Sequence, residues 1–376
     1  ALEAEPAVRA KGTVLGRDGR LHRKGRNSLF ILLDVCLRIA ELLLHLHERA
    51  VLLVKDGVIA EIAPNISNGA DEVIEAKGCV VLPGFVDLHT HLREPGRENS
   101  ETIATGSLAA ARGGYVAVSA MANTLPVADS AAIVEQVASI GRSVGLVDVF
   151  PIGAVTKGLE GKELADLGSM AQSKAQVSVF SDDGNCVSDP LMMRRALEYV
   201  KQFDGVIAQH AQDPRLTEGA QMNEGVIASA LGLKGWPAVA EESIIARDIL
   251  LASTVGARLH ICHVTTKGGV EIIRWAKAQG MKVTAEVTPH HLLLTEELAE
   301  SYDPIYKVNP PLRTEDDVQA VVGVLRSGML AQGKNCVALE QKFAQASGAK
   351  HALTCANGTC ALQLAYEPLF EPGDEV

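Results

Sequence analysis

The segment FVDLHTHLREPG, residues 85 to 96, places two histidines two positions apart at the end of an apolar run. On a β-strand, residues i and i+2 point to the same face, so His89 and His91 can converge on one ligand. Imidazole nitrogen is among the ligands that zinc prefers in proteins. The pair therefore predicts one part of a metal site.

A second histidine pair, His45 and His47, lies in the segment SLFILLDVCLRIAELLLHLH. Its polar residues Asp34, Arg38, Glu41 and His45 recur at helical spacing, which predicts an amphipathic helix. Residues i and i+2 of a helix point about 200° apart and cannot share a ligand. We therefore expect His45 and His47 to be structural or surface residues.

The elements that must position the first pair follow residue 84. Seven short apolar runs alternate there with stretches of helical periodicity that begin near Ser or Asp residues, which we expect to cap their helices. This alternation predicts a parallel sheet, and at this length a (β/α)8 TIM-type barrel. Residues 51 to 83 instead carry β-branched runs and Asp-Gly and Lys-Gly turn signals, which predict a small β-sheet domain.

Polar residues stand at the carboxyl end of nearly every predicted strand. In a barrel these ends meet on one face, where catalytic groups gather. A convergence of imidazoles and carboxylates predicts a zinc site on that face. The residues concerned are His89, His91, Asn123, Asp182, Asp183, His210, His263, His290 and His291.

Composition limits the partners. The net charge of −11 over 376 residues predicts neither a nucleic-acid surface nor attraction to anionic membranes. The seven cysteines form no CxxC pair, which favours reduced thiols in a cytoplasmic protein. The most apolar segment is interrupted by charged residues and follows a mixed-charge stretch, so we expect neither a membrane span nor export. We therefore expect neither nucleic acid nor a membrane as a partner.

Six motifs carry a family resemblance. In chain order GFVDLHTHLREPG, MANTLP, FSDDG, IAQHAQD, HICHVTT and KVNPPLR resemble those of class I dihydroorotases, which are members of the amidohydrolase superfamily. The resemblance covers about residues 51 to 321 and implies a metal-dependent hydrolase barrel over residues 84 to 321.

The resemblance also implies two zinc ions. His89 and His91 would bind one ion, His210 and His263 the other, and an aspartate would bridge them. Both Asp182 and Asp183 are candidates for the bridge, and the 27-residue separation of Asp183 from His210 fits the family better.

The implied reaction is the reversible cyclisation of N-carbamoyl-L-aspartate to L-dihydroorotate in pyrimidine biosynthesis. Arg93 would bind the substrate carboxylate, for which a planar guanidinium is suited, and Asn123 and Asn309 would hydrogen-bond the same molecule. A hydantoinase or allantoinase is disfavoured by Arg93 and by an aspartate where many relatives have a carboxylated lysine. His290 and His291 match no ligand position, so we expect them to cap or pack.

The resemblance breaks after the KVNPPLR motif. The family has an eighth strand there, with an Asp-His pair whose aspartate completes the metal site and acts as acid and base. No such pair follows residue 311, so the catalytic aspartate is not identified and the barrel is expected to lack its eighth strand. The first and seventh strands would then have open edges, which residues 350 to 356 or the N-terminal helix could cover. We also expect low stability and a homo-oligomer.

The remaining segments belong to neither the barrel nor its small sheet domain. Residues 322 to 376 resemble the start of a PLP-dependent sugar aminotransferase, without the region that carries its Schiff-base lysine, so PLP catalysis is not expected. Residues 1 to 50 match neither family. A non-catalytic dihydroorotase-like scaffold, binding metal or aspartate transcarbamoylase, is the alternative to an active enzyme.

Overall fold

The computed structural model of the chain describes residues 51 to 55, 57 to 66, 70 to 74 and 83 to 326. The predicted N-terminal helix, the histidine pair within it, the segment 350 to 356 and the tail beyond residue 326 lie outside the described residues. Among the helices that are described, none is long and apolar enough to cross a membrane.

An antiparallel hairpin begins the described chain. It consists of β1 (Val51–Lys55) and β2 (Val58–Ala63), joined at Gly57, whose φ of 81° suits glycine. It lies where the sequence predicts a small β-sheet domain. Most of the second run predicted for that domain, residues 75 to 82, lies outside the described residues.

From residue 85 strands alternate with helices, as the sequence predicts. In chain order the elements are β3 (Phe85–Thr90), α1 (Ile103–Arg112), β4 (Tyr115–Ala120), α2 (Ala131–Val144), β5 (Asp148–Pro151), α3 (Leu167–Gln172), β6 (Val179–Phe180), α4 (Pro190–Val200), β7 (Val206–Gln209), β8 (Met222–Asn223), α5 (Val226–Leu231), β9 (Gly235–Trp236), α6 (Val239–Val255), β10 (Arg258–Ile261), α7 (Lys267–Ala278), β11 (Val283–Ala285), α8 (Pro289–Leu293) and α9 (Glu315–Arg326).

The main strands pair in parallel and in chain order. One sheet has the order β3-β4-β5 and another the order β6-β7-β10-β11. A parallel bridge between Gly153 and Phe180 links the two sheets just beyond β5. Within the described part of the chain, β3 and β11 each pair along one edge only, while β8 and β9 form a separate short pair.

The core lies between the strands and the surrounding helices. Ile207 of β7 and Leu259 of β10 are buried together with Leu197 of α4 and Ile245 of α6. Strands covered on both faces in this way read as apolar runs, which is why the sequence reveals them. Each such side chain contributes about 1.5–3 kcal/mol through burial. This packing fixes the position of the strand ends that carry the polar residues.

The helix caps differ in detail from the prediction. Thr102, rather than the preceding Ser100, caps α1, and it forms a reciprocal capping box with Thr105. Ser130 stands at the N-cap position of α2 but makes no side-chain capping bond. Helical periodicity locates the start of a helix to within a few residues, whereas local hydrogen bonds determine which residue is its N-cap.

A buried carboxylate lies directly beneath the end of β7. Asp248 of α6 is fully buried and accepts hydrogen bonds from the side-chain amide of Gln209 at 2.8 Å and from Arg247 Nε at 2.7 Å. Burial raises the pKa of Asp248 to about 6, against the opposing effect of Arg247. Gln209 directly precedes His210, so this network supports the backbone at a predicted metal ligand.

Replacing Asp248 with Asn should change how stability depends on pH. The folded-state pKa of about 6 exceeds the ordinary value of 3.8, so the folded chain binds this proton more tightly than the unfolded chain. The contribution of Asp248 to stability is therefore lost as the pH rises from the unfolded-state pKa through the folded-state pKa. Between about pH 5 and about pH 7.5, the free energy of unfolding of wild type should fall by about 1 kcal/mol relative to that of the variant. Urea unfolding at both pH values measures this, and a difference independent of pH would contradict it.

Candidate metal centre

Four histidines meet around one aspartate at the carboxyl ends of the strands. His89 is the penultimate residue of β3, and His91 directly follows that strand. His210 directly follows β7, and His263 lies two residues past β10. Asp183 lies three residues past β6. Parallel strands present their carboxyl ends at one side of a sheet, which is how residues far apart in sequence come together here.

The two oxygens of Asp183 face different histidine pairs. Asp183 Oδ2 lies 3.4 Å from His89 Nε2 and 3.4 Å from His91 Nε2. Asp183 Oδ1 lies 2.9 Å from His263 Nε2 and 3.2 Å from His210 Nδ1. The carboxylate thus stands between the pairs, as a group that bridges two ions must.

Electrostatics in this cluster favour an ionised carboxylate. Burial by itself would raise the pKa of Asp183, but its contacts with the four imidazoles hold that pKa well below the usual range. Burial lowers the pKa of His263. For His89, contacts with Asp183, Cys262 and Glu286 outweigh burial and raise the pKa to about 12. The cluster therefore combines a buried negative charge with imidazoles that can hold a proton or a metal.

Asp182, the other candidate for the bridge, faces away from the histidines. Its Oδ1 accepts hydrogen bonds from the backbone N–H groups of Val155 at 2.8 Å and Thr156 at 3.0 Å. Its Oδ2 accepts a short hydrogen bond from the Thr156 hydroxyl. Burial raises the pKa of Asp182, against these bonds. The Asp182 carboxylate thus stabilises the loop after β5 through these hydrogen bonds.

The ring nitrogens of three histidines that point away from Asp183 have their own partners. His91 Nδ1 lies 2.9 Å from Asn123 Oδ1, and His210 Nε2 lies 2.7 Å from Gln212 Oε1. His89 Nδ1 lies 2.5 Å from Glu286 Oε1. Such contacts fix ring orientation and tautomer in metal sites. Asn123, predicted to contact substrate, therefore also orients His91.

Arg93 occupies the loop after β3. Its φ of 62° is left-handed, a conformation that costs a non-glycine residue on the order of 1–3 kcal/mol. Leu125 N donates to Pro95 O at 2.9 Å, and a Cβ on Gly96 would lie 1.9 Å from Leu125 O. The loops that carry Arg93 and Asn123 are thus in backbone contact. Among the described residues the Arg93 guanidinium has no hydrogen-bond or ion-pair partner.

Asn309 is exposed and lies in a cleft beside the histidines. The cleft has a volume of about 410 Å³ and is lined by Asn309, Gln212, Thr217, Trp236 and others. One lining residue, Gln212, also contacts His210, but none of the four histidines lines the cleft. Among the described residues, Asn309 thus shares a cleft with a neighbour of His210 and has no hydrogen bond or ion pair to the four histidines.

The loop that carries Asn309 is anchored from two sides. Buried His291 contacts Pro310 O through Nε2 at 3.1 Å and Thr288 Oγ1 through Nδ1 at 2.6 Å. Buried Arg313 donates from Nε to Thr265 Oγ1 at 3.0 Å. His291 thus packs against the loop, in the structural role expected for it.

Sequence analysis missed three side chains of the site. Glu286 directly follows β11, Gln212 is two residues past His210, and Cys262 immediately precedes His263. Cys262 belongs with His89 and Glu286 to a third group of neighbouring potential ligands. Glu286 carries a signal in the sequence, since it is a carboxylate at the end of a predicted strand.

The donor set fits zinc. His89, His91 and Asp183 form one group of potential ligands, and Asp183, His210 and His263 form another, with the ligand atoms of each group within 4.8 Å of one another. Imidazole nitrogen and carboxylate oxygen are zinc ligands, and the shared aspartate connects the groups. The chemistry of the residues is therefore compatible with two ions.

The two neighbouring aspartates provide a matched test of this geometry. Asp183→Asn should lower zinc affinity more than about 100-fold, because it removes a ligand rather than a group that only orients one. Asp182→Asn should leave the affinity nearly unchanged and instead lower the free energy of unfolding by about 1–3 kcal/mol, because it disturbs a buried hydrogen-bonded group. Chelator competition and urea unfolding measure the two effects. The opposite pattern would assign the bridge to Asp182.

Comparison with solved structures concerns the fold of the chain. L-hydantoinase (dihydropyrimidinase) from Arthrobacter aurescens matches with a TM-score of 0.61 and 23% identity, over 72% of this chain and 62% of that one. A D-hydantoinase matches with a TM-score of 0.59 and 24% identity, over 75% and 63%. At these identities the similarity concerns the mixed α/β fold alone.

Sequence comparisons are more specific. A family model described as aminotransferase family DegT/DnrJ/EryC1/StrS matches residues 311 to 376. Dihydroorotase from Streptomyces coelicolor is 66% identical over 276 residues, 73% of this chain and 64% of the relative. The Leifsonia xyli dihydroorotase is 65% identical over 75% and 64%, and the Mycobacterium tuberculosis one 58% identical over 78% and 67%. The chain thus spans less than two thirds of the first two relatives. A family model described as dihydro-orotase-like matches residues 78 to 269, and the chain belongs to this family.

Proposed function

We propose that this chain is a zinc-dependent dihydroorotase, which interconverts N-carbamoyl-L-aspartate and L-dihydroorotate. The observation that carries the proposal is the placement of Asp183 between two histidine pairs at the strand ends. High identity to dihydroorotases over most of the chain supports it. The substrate is part of the proposal, because the chain spans only 64% of the length of the first two relatives.

The architecture proposed for this activity is a (β/α)8-type barrel without its eighth strand. The seven parallel strands in chain order support it. The contact between His89, near the end of β3, and Glu286, directly after β11, also supports it, since this contact brings the first and last of these strands near each other. An eighth strand would lie between β11 and β3 in a complete barrel.

In the proposed site His89, His91 and Asp183 hold one zinc ion, and Asp183, His210 and His263 hold the other. When bound, the ions supply Lewis-acid polarisation of the ring amide and an activated water near neutral pH. The chain's own part is to fix the imidazoles. Asn123 orients His91 and Gln212 orients His210, each through an amide oxygen.

Substrate binding is assigned to Arg93, Asn123 and Asn309. The Arg93 side chain is not engaged by any described residue, so its guanidinium is available for a bidentate contact with a carboxylate. Asn309 lines the cleft beside Gln212, and its loop is held by His291. These positions would hold a dicarboxylate substrate at the opening of the histidine cluster.

The proton-transferring carboxylate is not assigned among the described residues. Glu315 and Asp316 are exposed at the start of α9. Asp317 accepts hydrogen bonds from Lys267 N at 2.8 Å and from the Thr314 hydroxyl at 2.7 Å. These acids are thus occupied or face solvent. This observation favours the second candidate function, a dihydroorotase-like scaffold that binds metal without turnover.

A ring-opening assay on the zinc-loaded chain separates the two candidates. Dihydroorotate should be hydrolysed, with hydantoin as a control substrate that lacks the carboxylate. A chain that binds two zinc ions but leaves dihydroorotate intact would be a scaffold.

Arg93→Lys tests the substrate assignment within the same assay. It should raise KM for dihydroorotate about 10–100-fold, because a point charge replaces a bidentate fork and charged hydrogen bonds contribute about 1.5–3 kcal/mol. The zinc content should stay unchanged. An unchanged KM would remove Arg93 from the substrate site.

A further inference from the structure

Glu286 is a carboxylate of the site that neither the metal pairs nor the substrate positions use. It directly follows β11, and its Oε1 lies 2.5 Å from His89 Nδ1. The contact is on the far side of the ring from Asp183, whose Oδ2 lies 3.4 Å from His89 Nε2. His89 is therefore held between two carboxylates, one at each ring nitrogen.

This arrangement decides which nitrogen of His89 is free to bind a metal. A neutral imidazole carries one N–H and one lone pair. A carboxylate beside Nδ1 accepts that N–H and leaves the Nε2 lone pair facing Asp183 and His91. Without the carboxylate, either tautomer could form.

The Glu286 carboxylate is itself held in place. Its Oε2 lies 3.3 Å from His260 Nε2, and His260 Nδ1 lies 2.9 Å from Thr284 Oγ1. Its backbone N–H donates to Ile261 O at 3.1 Å, and its carbonyl accepts from Val264 N at 2.9 Å. The backbone of Glu286 is thus hydrogen-bonded at the end of β10, and its carboxylate is in ion-pair contact with His260.

The ligand histidines differ in the kind of partner they have. His91 and His210 each contact an amide oxygen, from Asn123 and Gln212. His89 contacts a carboxylate, which forms a stronger bond and raises the basicity of the ring more than an amide does.

We propose that Glu286 is a positioning residue that fixes His89 as the Nδ1–H tautomer, with Nε2 directed to the metal it shares with His91. The inference rests on the proposed zinc-dependent function and adds to it a residue that is assigned to neither zinc ion nor to substrate binding. The competing arrangement is a metal held by His89, Cys262 and Glu286, in which His89 would bind through Nδ1.

Glu286→Gln tests this by giving His89 the same kind of partner that His91 and His210 have. Zinc affinity, measured by competition with a chromophoric chelator, should fall about 10–100-fold. The matched control is Glu271→Gln, which removes an exposed carboxylate that contacts Arg274 on α7, and its affinity should equal that of wild type. Equal affinity of Glu286→Gln and wild type would overturn the proposal.

A spectroscopic readout separates positioning from a general loss of structure. In the zinc-loaded wild type, long-range 15N NMR of the histidines should show His89 bound through Nε2 with a proton on Nδ1. A His89 bound through Nδ1, or a thiolate-to-metal band after cobalt substitution, would overturn the proposal in favour of the Cys262 group. If Glu286→Gln does not fold, Glu286→Asp replaces it. The shorter side chain withdraws the carboxylate from His89 Nδ1 and should cause a smaller loss of affinity, whereas no loss would overturn the proposal.

Failure of this inference and failure of the proposed function have different outcomes. Equal zinc binding by the Glu286 variant with an active wild type removes only the positioning role. Weakened zinc binding in the variant with a wild type that does not open dihydroorotate removes only the enzymatic function.

Discussion

The contact of one buried carboxylate with four imidazoles is the interaction on which the rest of this site depends. Asp183 is almost fully buried, and isolating a carboxylate in that way would be costly without compensating partners. His89, His91, His210 and His263 supply that compensation, and they come from the ends of three different strands, β3, β7 and β10. The parallel strands matter because their ends must bring these groups within hydrogen-bonding distance of one aspartate. A site of this kind is a property of the sheet rather than of any local motif.

Much of this arrangement could be predicted from sequence because it follows from periodicity. His89 and His91 are two positions apart at the end of a strand, and the apolar runs around His210 and His263 have the texture of strands buried on both faces. The choice between Asp182 and Asp183 could not be made from residue types. It depends on which carboxylate meets the backbone of Val155 and Thr156, because the two aspartates are consecutive residues shortly after β6.

Other features depend on tertiary contacts that leave no pattern in the chain. The bond between Asn123 and His91 joins the ends of two neighbouring strands, and the pairing of His89 with Glu286 joins β3 to β11 across 197 positions. A strand-end carboxylate signals a possible role, but its partner depends on how the sheet curves. The residues beyond 326 include most of the match to an aminotransferase family, and they lie outside the described chain.

The most direct test of the account is anomalous diffraction at the zinc edge from crystals grown with zinc. Two peaks that share Asp183 are expected, one beside His89 and His91 and the other beside His210 and His263. A single peak, no peak, or a peak between His89, Cys262 and Glu286 would contradict it, because the carboxylate would then not stand between two metal ions.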